Sequence, residues 1–195
     1  MIRLATEADA GAMASIYAPI VSSTAISFEL VAPTPTQMAA RVASTLAYAP
    51  WLVCEGATGM WGFAYASRHS ERAAYQWSAN VSVYVDDRCR RRGVGRALYT
   101  SLFALLRLQG FYAAHAGVTL PNPGSVGLHE ALGFQPVGVY RSVGFKLGAW
   151  HDVGWWQLPL RERTGEPAAL LSLAEARAAA GFEAALAAGR PLLRP

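Results

Sequence analysis

The sequence predicts an α/β (α+β) domain in which helices flank one central mixed β-sheet. Three observations carry this. Short strand-like runs come first, strand–helix units follow, and strands return near residue 160, the order expected of a single sheet with helices packed on it. Trp77, Ala79, Val81, Val83 and Val85 alternate with Ser78, Asn80, Ser82 and Tyr84, so one strand carries an apolar and a polar face. A dense arginine–glycine turn then leads straight into an amphipathic helix. The chain has 195 residues, 53% hydrophobic and 15% charged, which suits one domain with a real core rather than a disordered chain.

Ile2 to Ala5 reads as a first strand. Thr6 is placed to cap the next helix, with Asp9 in its first turn and Met13, Ile16, Tyr17 and Ile20 on its apolar side. Ala25 to Leu30 reads as a loop. Thr34-Pro35-Thr36-Gln37 is a capping-box start for a helix running to about Tyr48 and stopped by Pro50. Trp51–Glu55 and Met60–Ser67 form two strands around a turn at Gly56-Ala57-Thr58-Gly59. The alternating strand is Tyr75–Val85. Leu98, Leu102, Leu105 and Leu106 mark the buried side of the following helix, which Gly110 ends. Phe111–Leu120 is a strand and Ser125–Leu132 a short helix closed by Gly133. Phe134–Tyr140 and Trp150–Leu160 are the last strands, with Arg141–Ala149 connecting them. The domain therefore spans 1–160, and 161–195 is a linker plus one alanine-rich helix over Ala168–Gly189 that packs on the domain or a partner subunit.

Charge narrows the function. The net charge is +4, yet Arg88, Arg90, Arg91, Arg92 and Arg96 fall within one short segment. A nucleic-acid face spreads its cations more widely, so no nucleic acid is expected as partner. A compact polyanion such as a nucleotide cofactor fits better. Cys54 and Cys89 belong to no metal-ligand spacing, so no metal is expected, and a domain of this size needs no disulfide. The N-terminus lacks a signal-peptide apolar stretch, and no run approaches the ~18 apolar residues of a membrane span. A cytoplasmic protein without membrane association is the expectation.

The most specific local signal is Arg90-Arg91-Arg92-Gly93-Val94-Gly95, between a strand and a helix. The first amides of a helix are unpaired and can bind phosphate oxygens. Glycines allow close approach, and arginines add forked donors. A P-loop needs GxxxxGK[ST], which is absent, and only two glycines of a dinucleotide fingerprint are present. A solvated basic helix start is the plain structural alternative.

Arg90-xx-Gly93-x-Gly95 resembles the [Q/R]xxGx[G/A] pyrophosphate loop of the GNAT acetyltransferases. The phosphinothricin and methionine sulfoximine acetyltransferases share further elements in the same order. These are Ser82-Val83-Tyr84-Val85; Asn122, Ser125, Leu128-His129-Glu130 and Gly133-Phe134; Val137 to Arg141; Gly144-Phe145-Lys146; and Trp150 to Gln157. Ile16-Tyr17-Ala18 and Ser27-Phe28-Glu29 also fit. The resemblance covers about Ile2 to Leu160 and leaves out the tail.

The resemblance implies the GNAT fold, with acetyl-CoA as cosubstrate in a gap between splayed parallel central strands, here Tyr75–Val85 and Phe111–Leu120. Backbone groups of Val83, Tyr84 and Val85 would pair with the pantetheine arm, and the turn Arg90, Arg91, Arg92, Gly93, Val94, Gly95 and Arg96 would hold the pyrophosphate. Asn122 and Ser125 would contact the cofactor from the other side. The reaction would be direct attack of a neutral amine on the thioester in a ternary complex, with the backbone amide of Val83 or a neighbour polarising the carbonyl. His129 stands where many family members carry a tyrosine acid; it would protonate sulfur or relay a proton, unless it only fills the cleft wall. Asn80 stands where the phosphinothricin-type enzymes have a glutamate base, thirteen residues before the first loop glycine. An amide accepts no proton near neutral pH, so Asn80 would orient water or the amine, and His69, His151, Glu29 and Asp152 are other candidate bases. Phe28, Glu29, Arg68, Asn80 and His151 are the expected substrate contacts, with His69 and Arg72 beside Arg68 as candidates for a carboxylate.

The favoured function is acetylation of a small amino-acid-like amine. Acetylation of protein or polyamine amines is an alternative, as is a catalytically weak acyl-CoA-binding sensor, for which Asn80 is the support. A homodimer is expected, with Trp150, Trp155 and Trp156 in its interface or in the core.

Overall fold

The structure is a computed structural model and describes residues 1–57 and 59–194. One seven-stranded sheet organises it, in the order β1-β2-β3-β4-β5-β7-β6. The strands are β1 (Ile2–Leu4), β2 (Trp51–Gly56), β3 (Gly59–Arg68), β4 (Ser78–Val85), β5 (Ala113–Leu120), β6 (Gln135–Lys146) and β7 (Ala149–Pro159). Only β4 and β5 are parallel; every other neighbouring pair is antiparallel. The helices are α1 (Ala10–Ser23), α2 (Pro35–Leu46), α3 (Val94–Gln109), α4 (Pro123–Ala131), α5 (Leu173–Ala178) and α6 (Phe182–Ala187).

The alternation on β4 decides the two layers. Its register with β3 runs without a break from Arg68↔Ala79 to Gly62↔Val85. Ala79 and Val81 face a core built with Leu98, Leu102 and Leu106 of α3. Tyr84 faces the other way, onto a second core of Met13, Tyr17, Met38 and Val42 from α1 and α2. The cap expected of Thr34 is present: its hydroxyl accepts from the Gln37 amide at 3.2 Å, and the Gln37 side chain accepts from the Thr34 amide at 2.8 Å.

Several expected boundaries move. The long strand begins at Ser78, because Ala73–Tyr75 close a 3-10 turn in which the Tyr75 amide reaches the Arg72 carbonyl at 3.0 Å. The next strand begins at Ala113, since Phe111 still donates to the Leu106 carbonyl of the α3 cap. α4 starts two residues early, at Pro123, behind the Asn122 cap. Arg141–Lys146 is not a connection but continues β6; a register shift between Tyr140 and Gly144 lets the strand bend and go on. Thr58, in the expected β2–β3 turn, lies outside the described residues.

The tail is two short helices, broken where Gly181 takes φ +98°. Both pack beside α3, and Leu173, Phe182 and Leu186 join its core. Cys54 and Cys89 are both buried as free thiols. Among the described residues, no helix is long and apolar enough to cross a membrane, and no cluster of His, Cys, Asp or Glu could hold a metal ion.

Candidate active site

The parallel ladder between β4 and β5 has three residue pairs and stops at Asn80↔His115. Beyond that point β4 keeps its β3 partner and β5 its β7 partner, but the two strands separate. Backbone groups of Val81–Val85 on the inner side are left without a strand partner, which a buried segment does not tolerate unless something else pairs with them. The resulting cleft is lined by Val83, Tyr84, Tyr99, Gly117, Asn122, Ser125 and His129, among others.

At the wide end of the fork stands the arginine–glycine turn. Ala97 is the first α3 residue to donate back, to the Gly93 carbonyl at 2.8 Å, so the amides of Val94, Gly95 and Arg96 remain free at the positive end of a sixteen-residue helix. Arg91 and Gly93 both take positive φ, +63° and +78°. Arg91, Arg92 and Arg96 are exposed; Arg90 pairs with Asp87 at 2.6 Å, and Arg92 lies over the Trp61 ring. A Cβ on Gly95 would come within 3.2 Å of Leu128 on α4 and 3.7 Å of Val85. The narrow floor at Gly95 and the free amides are what a pyrophosphate requires. The tail reaches this loop from behind: the Arg194 amide donates to the Arg92 carbonyl at 2.9 Å.

His129 is 3% exposed, and its protonation can be read from its partners. Nδ1 lies 2.8 Å from the Ser125 carbonyl, which only accepts, so Nδ1 carries the proton. Nε2 then accepts from the Tyr99 hydroxyl at 3.2 Å. Burial holds this ring's pKa below the usual histidine value and keeps it neutral. His129 therefore presents no free N–H to the cleft, and the mobile proton of the pair belongs to Tyr99. Burial in turn pushes the Tyr99 phenol well above its usual value. Asn122 caps α4, its side-chain oxygen accepting from the Ser125 amide at 3.1 Å.

On the opposite face, the loop after α1 is tied down by buried polar contacts. Lys146, 5% exposed, donates to the carbonyls of Val21 and Ser27, both at 2.6 Å. The Tyr17 hydroxyl bonds Ser27 at 2.6 Å and Glu29 at 3.0 Å. Phe28 lies on bare backbone, since a Cβ on Gly144 would meet its ring at 2.1 Å. Glu29 is held by both guanidinium nitrogens of Arg41, at 2.7 and 2.9 Å, which lowers its pKa. A cavity of about 280 Å³ lies beside this loop, lined by Tyr17, Arg41, Tyr65, Ser67 and Tyr84 among others. Tyr84 borders both the cavity and the cleft.

The remaining candidates separate. Asn80 sits at the fork, 2.9 Å from Nδ1 of His69. Arg68 does not join it: as the register partner of Ala79 it points to the other face, with its guanidinium 4.3 Å over the Tyr48 ring. His151 donates from Nε2 to the Lys146 carbonyl at 3.0 Å and faces Phe28. Asp152 is engaged by the Ser142 amide and Arg141, which together lower its pKa. Tyr99, Arg41 and His115 are the candidate site residues that sequence reading missed. Tyr99 sits among the buried positions of an amphipathic helix, and nothing local separates it from core.

Known proteins bear on this geometry. Residues 2–155 match the acetyltransferase (GNAT) domain model. A phosphinothricin N-acetyltransferase of Streptomyces viridochromogenes is 40% identical over 156 residues, covering 80% of this chain and 85% of that protein. An L-methionine sulfoximine/L-methionine sulfone acetyltransferase of Salmonella typhimurium is 31% identical over 168 residues, covering 86% of this chain and 98% of that protein. Among solved structures, a phosphinothricin acetyltransferase from Sinorhizobium meliloti in complex with AcCoA aligns with a TM-score of 0.81 and 32% identity, covering 86% of this chain and 92% of that one.

Proposed function

Because the chain belongs to the GNAT family of N-acetyltransferases, which use acetyl-CoA, we propose that it acetylates the amino group of a small amino acid of the phosphinothricin or methionine sulfoximine type. The observation that carries the reading is the fork: a strand edge without a partner leads to free helix amides beneath two glycines. Acetyl-CoA supplies the acyl group as an activated thioester. The edge of Val83, Tyr84 and Val85 binds the pantetheine arm, the amides of Val94 to Arg96 and the arginines hold the pyrophosphate, and Asn122 and Ser125 close the other wall. The Val83 amide is the candidate donor to the thioester oxygen.

The leaving sulfur is served by the Tyr99–His129 pair. A thiol has a pKa of about 8.5, well below that of the buried Tyr99 phenol, so proton transfer from Tyr99 to a thiolate runs uphill. The single Tyr99 hydroxyl proton, held by His129 Nε2 at rest, turns to the leaving sulfur and stabilises the thiolate by a hydrogen bond. The amino acid occupies the side covered by Phe28 and Glu29, where the cavity beside Tyr84 and Ser67 is of amino-acid size. Asn80 favours a second reading, an acyl-CoA sensor without turnover. We also assign the β6–β7 hairpin to a homodimer interface: β6 is an edge strand that exposes Val137, Tyr140, Val143 and Phe145, with Trp150 beside them on β7 at 65% exposure. Trp156 is buried and Trp155 half-buried.

The test is CoA release, followed with a thiol reagent, against phosphinothricin, methionine sulfoximine, the common amino acids and polyamines. Turnover on an amino acid is expected. Acetyl-CoA binding by calorimetry with no turnover on any amine would replace the enzyme reading by the sensor.

A further inference from the structure

An amide at position 80 cannot take up a proton, yet the amine must lose one before it can attack. We propose that His69, oriented by Asn80, is the general base of the reaction; the proposal rests on the acetyl-transfer reading above. His69 follows β3 directly and is half-buried. It touches both residues of the last β4–β5 pair: Asn80 through Nδ1 at 2.9 Å, and His115 by ring stacking at 4.3 Å. It therefore lies over the point where the strands part, on the sheet face of Ser67, its neighbour Asn80, and Tyr84.

The hydrogen bonds fix the tautomer. The Asn80 amide nitrogen faces the Arg68 carbonyl at 3.4 Å, and a carbonyl only accepts, so the amide oxygen is the atom turned to His69. Nδ1 must then carry the proton, and the lone pair is on Nε2. Nε2 has no hydrogen-bond partner among the described residues and is not sealed from solvent. A glutamate at position 80 would itself be a base. An asparagine there instead prepares a neighbouring one.

The other candidates are occupied. The chain has four histidines. Both ring nitrogens of His129 are bonded, and His151 is turned to the Lys146 carbonyl. Burial, with His69 beside it, lowers His115 to about 4, too weak a base for the task. Glu29 is clamped by Arg41 and Tyr17, and Asp152 by Arg141 and Ser142. The titratable groups facing His69 are His115 from β5 and Tyr75 from the turn before β4; Trp155 of β7 closes the remaining side, and the charge of Arg163 acts on His115.

In the step proposed, Nε2 takes one proton from the substrate ammonium, directly or through one water. The freed lone pair forms the C–N bond, and the C–S bond breaks with its electron pair going to sulfur. The nitrogen's second proton passes through water to the thiolate, which leaves as the CoA thiol, and the imidazolium returns its proton to water.

The experiment uses the full chain, acetyl-CoA and the best amine of the panel, comparing wild type with His69→Gln and His69→Ala from pH 6.5 to 9.5. kcat/KM should fall about 100-fold at pH 7, the low end for a general base. The deficit should shrink towards pH 9.5, where much more of the substrate amine is already neutral. Imidazole in the buffer should restore part of the His69→Ala activity, and the calorimetric Kd for acetyl-CoA should stay within about twofold, which excludes misfolding as the cause. Nitrogen-15 NMR should find the Nδ1–H tautomer of His69 in the wild type and lose it in Asn80→Ala. A deficit equal at every pH, no imidazole rescue, or an Nε2–H tautomer in the wild type overturns the proposal. A wild type inert on every amine overturns the acetyl-transfer reading as well, so the two failures are distinguishable.

Discussion

Replacing Tyr99 by Phe isolates one hydroxyl. Tyr99 and His129 are 1% and 3% exposed, so water does not readily replace the lost donor. The ring keeps its packing against Phe103, at 5.0 Å, and Phe134, at 6.5 Å, so no cavity cost arises. What remains is a buried Nε2 whose 3.2 Å partner is gone, a cost of about 1–3 kcal/mol. At about 2–4 °C per kcal/mol for a chain of this size, Tm should fall by roughly 2–12 °C. The same hydroxyl is assigned to the leaving thiolate, and a lost hydrogen bond of about 1.4 kcal/mol in the transition state is a tenfold loss in kcat. The KM for acetyl-CoA should stay unchanged, because the phosphate and pantetheine contacts lie elsewhere. Urea unfolding and CoA release at saturating substrates read the two effects separately. A Tyr99→Phe protein with wild-type stability and wild-type kcat would refute both the Tyr99–His129 hydrogen bond and the role given to the pair; lower stability with unchanged kcat would refute the role alone.

Acid should destabilise the fold through His115. The folded ring has its pKa lowered to about 4, against about 6.5 when unfolded, so its contribution is complete above pH ~6.5 and is lost as pH falls towards 4. The gross value is about 3 kcal/mol, reduced to about 1–2 by the solvent that still reaches this half-buried site. Urea midpoints from pH 7.5 to 4 should fall less steeply in His115→Gln than in the wild type, though His129, shifted the same way, will keep some slope; an unchanged slope refutes the assignment. Trp150→Glu places a charge on the exposed hairpin and should convert a dimer into monomers in sedimentation at micromolar concentration, with Tm of the monomer little changed. A wild type that sediments as a monomer removes the interface.

Position along the chain explains what could be read in advance. The β4 alternation, the Thr34 cap and the arginine–glycine turn are signals within a few residues, and each appears in the structure, the alternation from Ser78 onward. The boundaries that moved were decided by contacts between distant residues. Arg141–Lys146 carries polar residues and a glycine typical of a connection, yet pairing with β7 on one side, Phe28 over Gly144 and the Lys146 anchor to Ser27 hold it as strand. The alanine-rich tail has the composition of one helix, but it must follow α3 and bring Leu173, Phe182 and Leu186 onto the core, so the chain breaks at Gly181. Asn80 was legible as a departure; its partner was not. The pairing of His69 with Asn80 depends on the β3–β4 register that returns the two residues to one face, and no local spacing announces it.

The two glycines of the turn show how one short motif encodes separate physical demands. Gly93 has φ +78°, a conformation costly for a side chain, and a Cβ there would also lie 2.2 Å from the Leu192 carbonyl of the tail. Its requirement is backbone shape and a close approach from behind. Gly95 is the second residue of α3, and its Cβ would meet the Leu128 side chain at 3.2 Å, with Val85 at 3.7 Å and Val83 at 3.9 Å. The close approach of Leu128 is one reason for glycine at position 95. A second lies in the space between α3 and α4, which a methyl group would narrow just where the free amides open into the cleft. A glycine that keeps a path open to free helix amides bears on the ligand as well as on the fold.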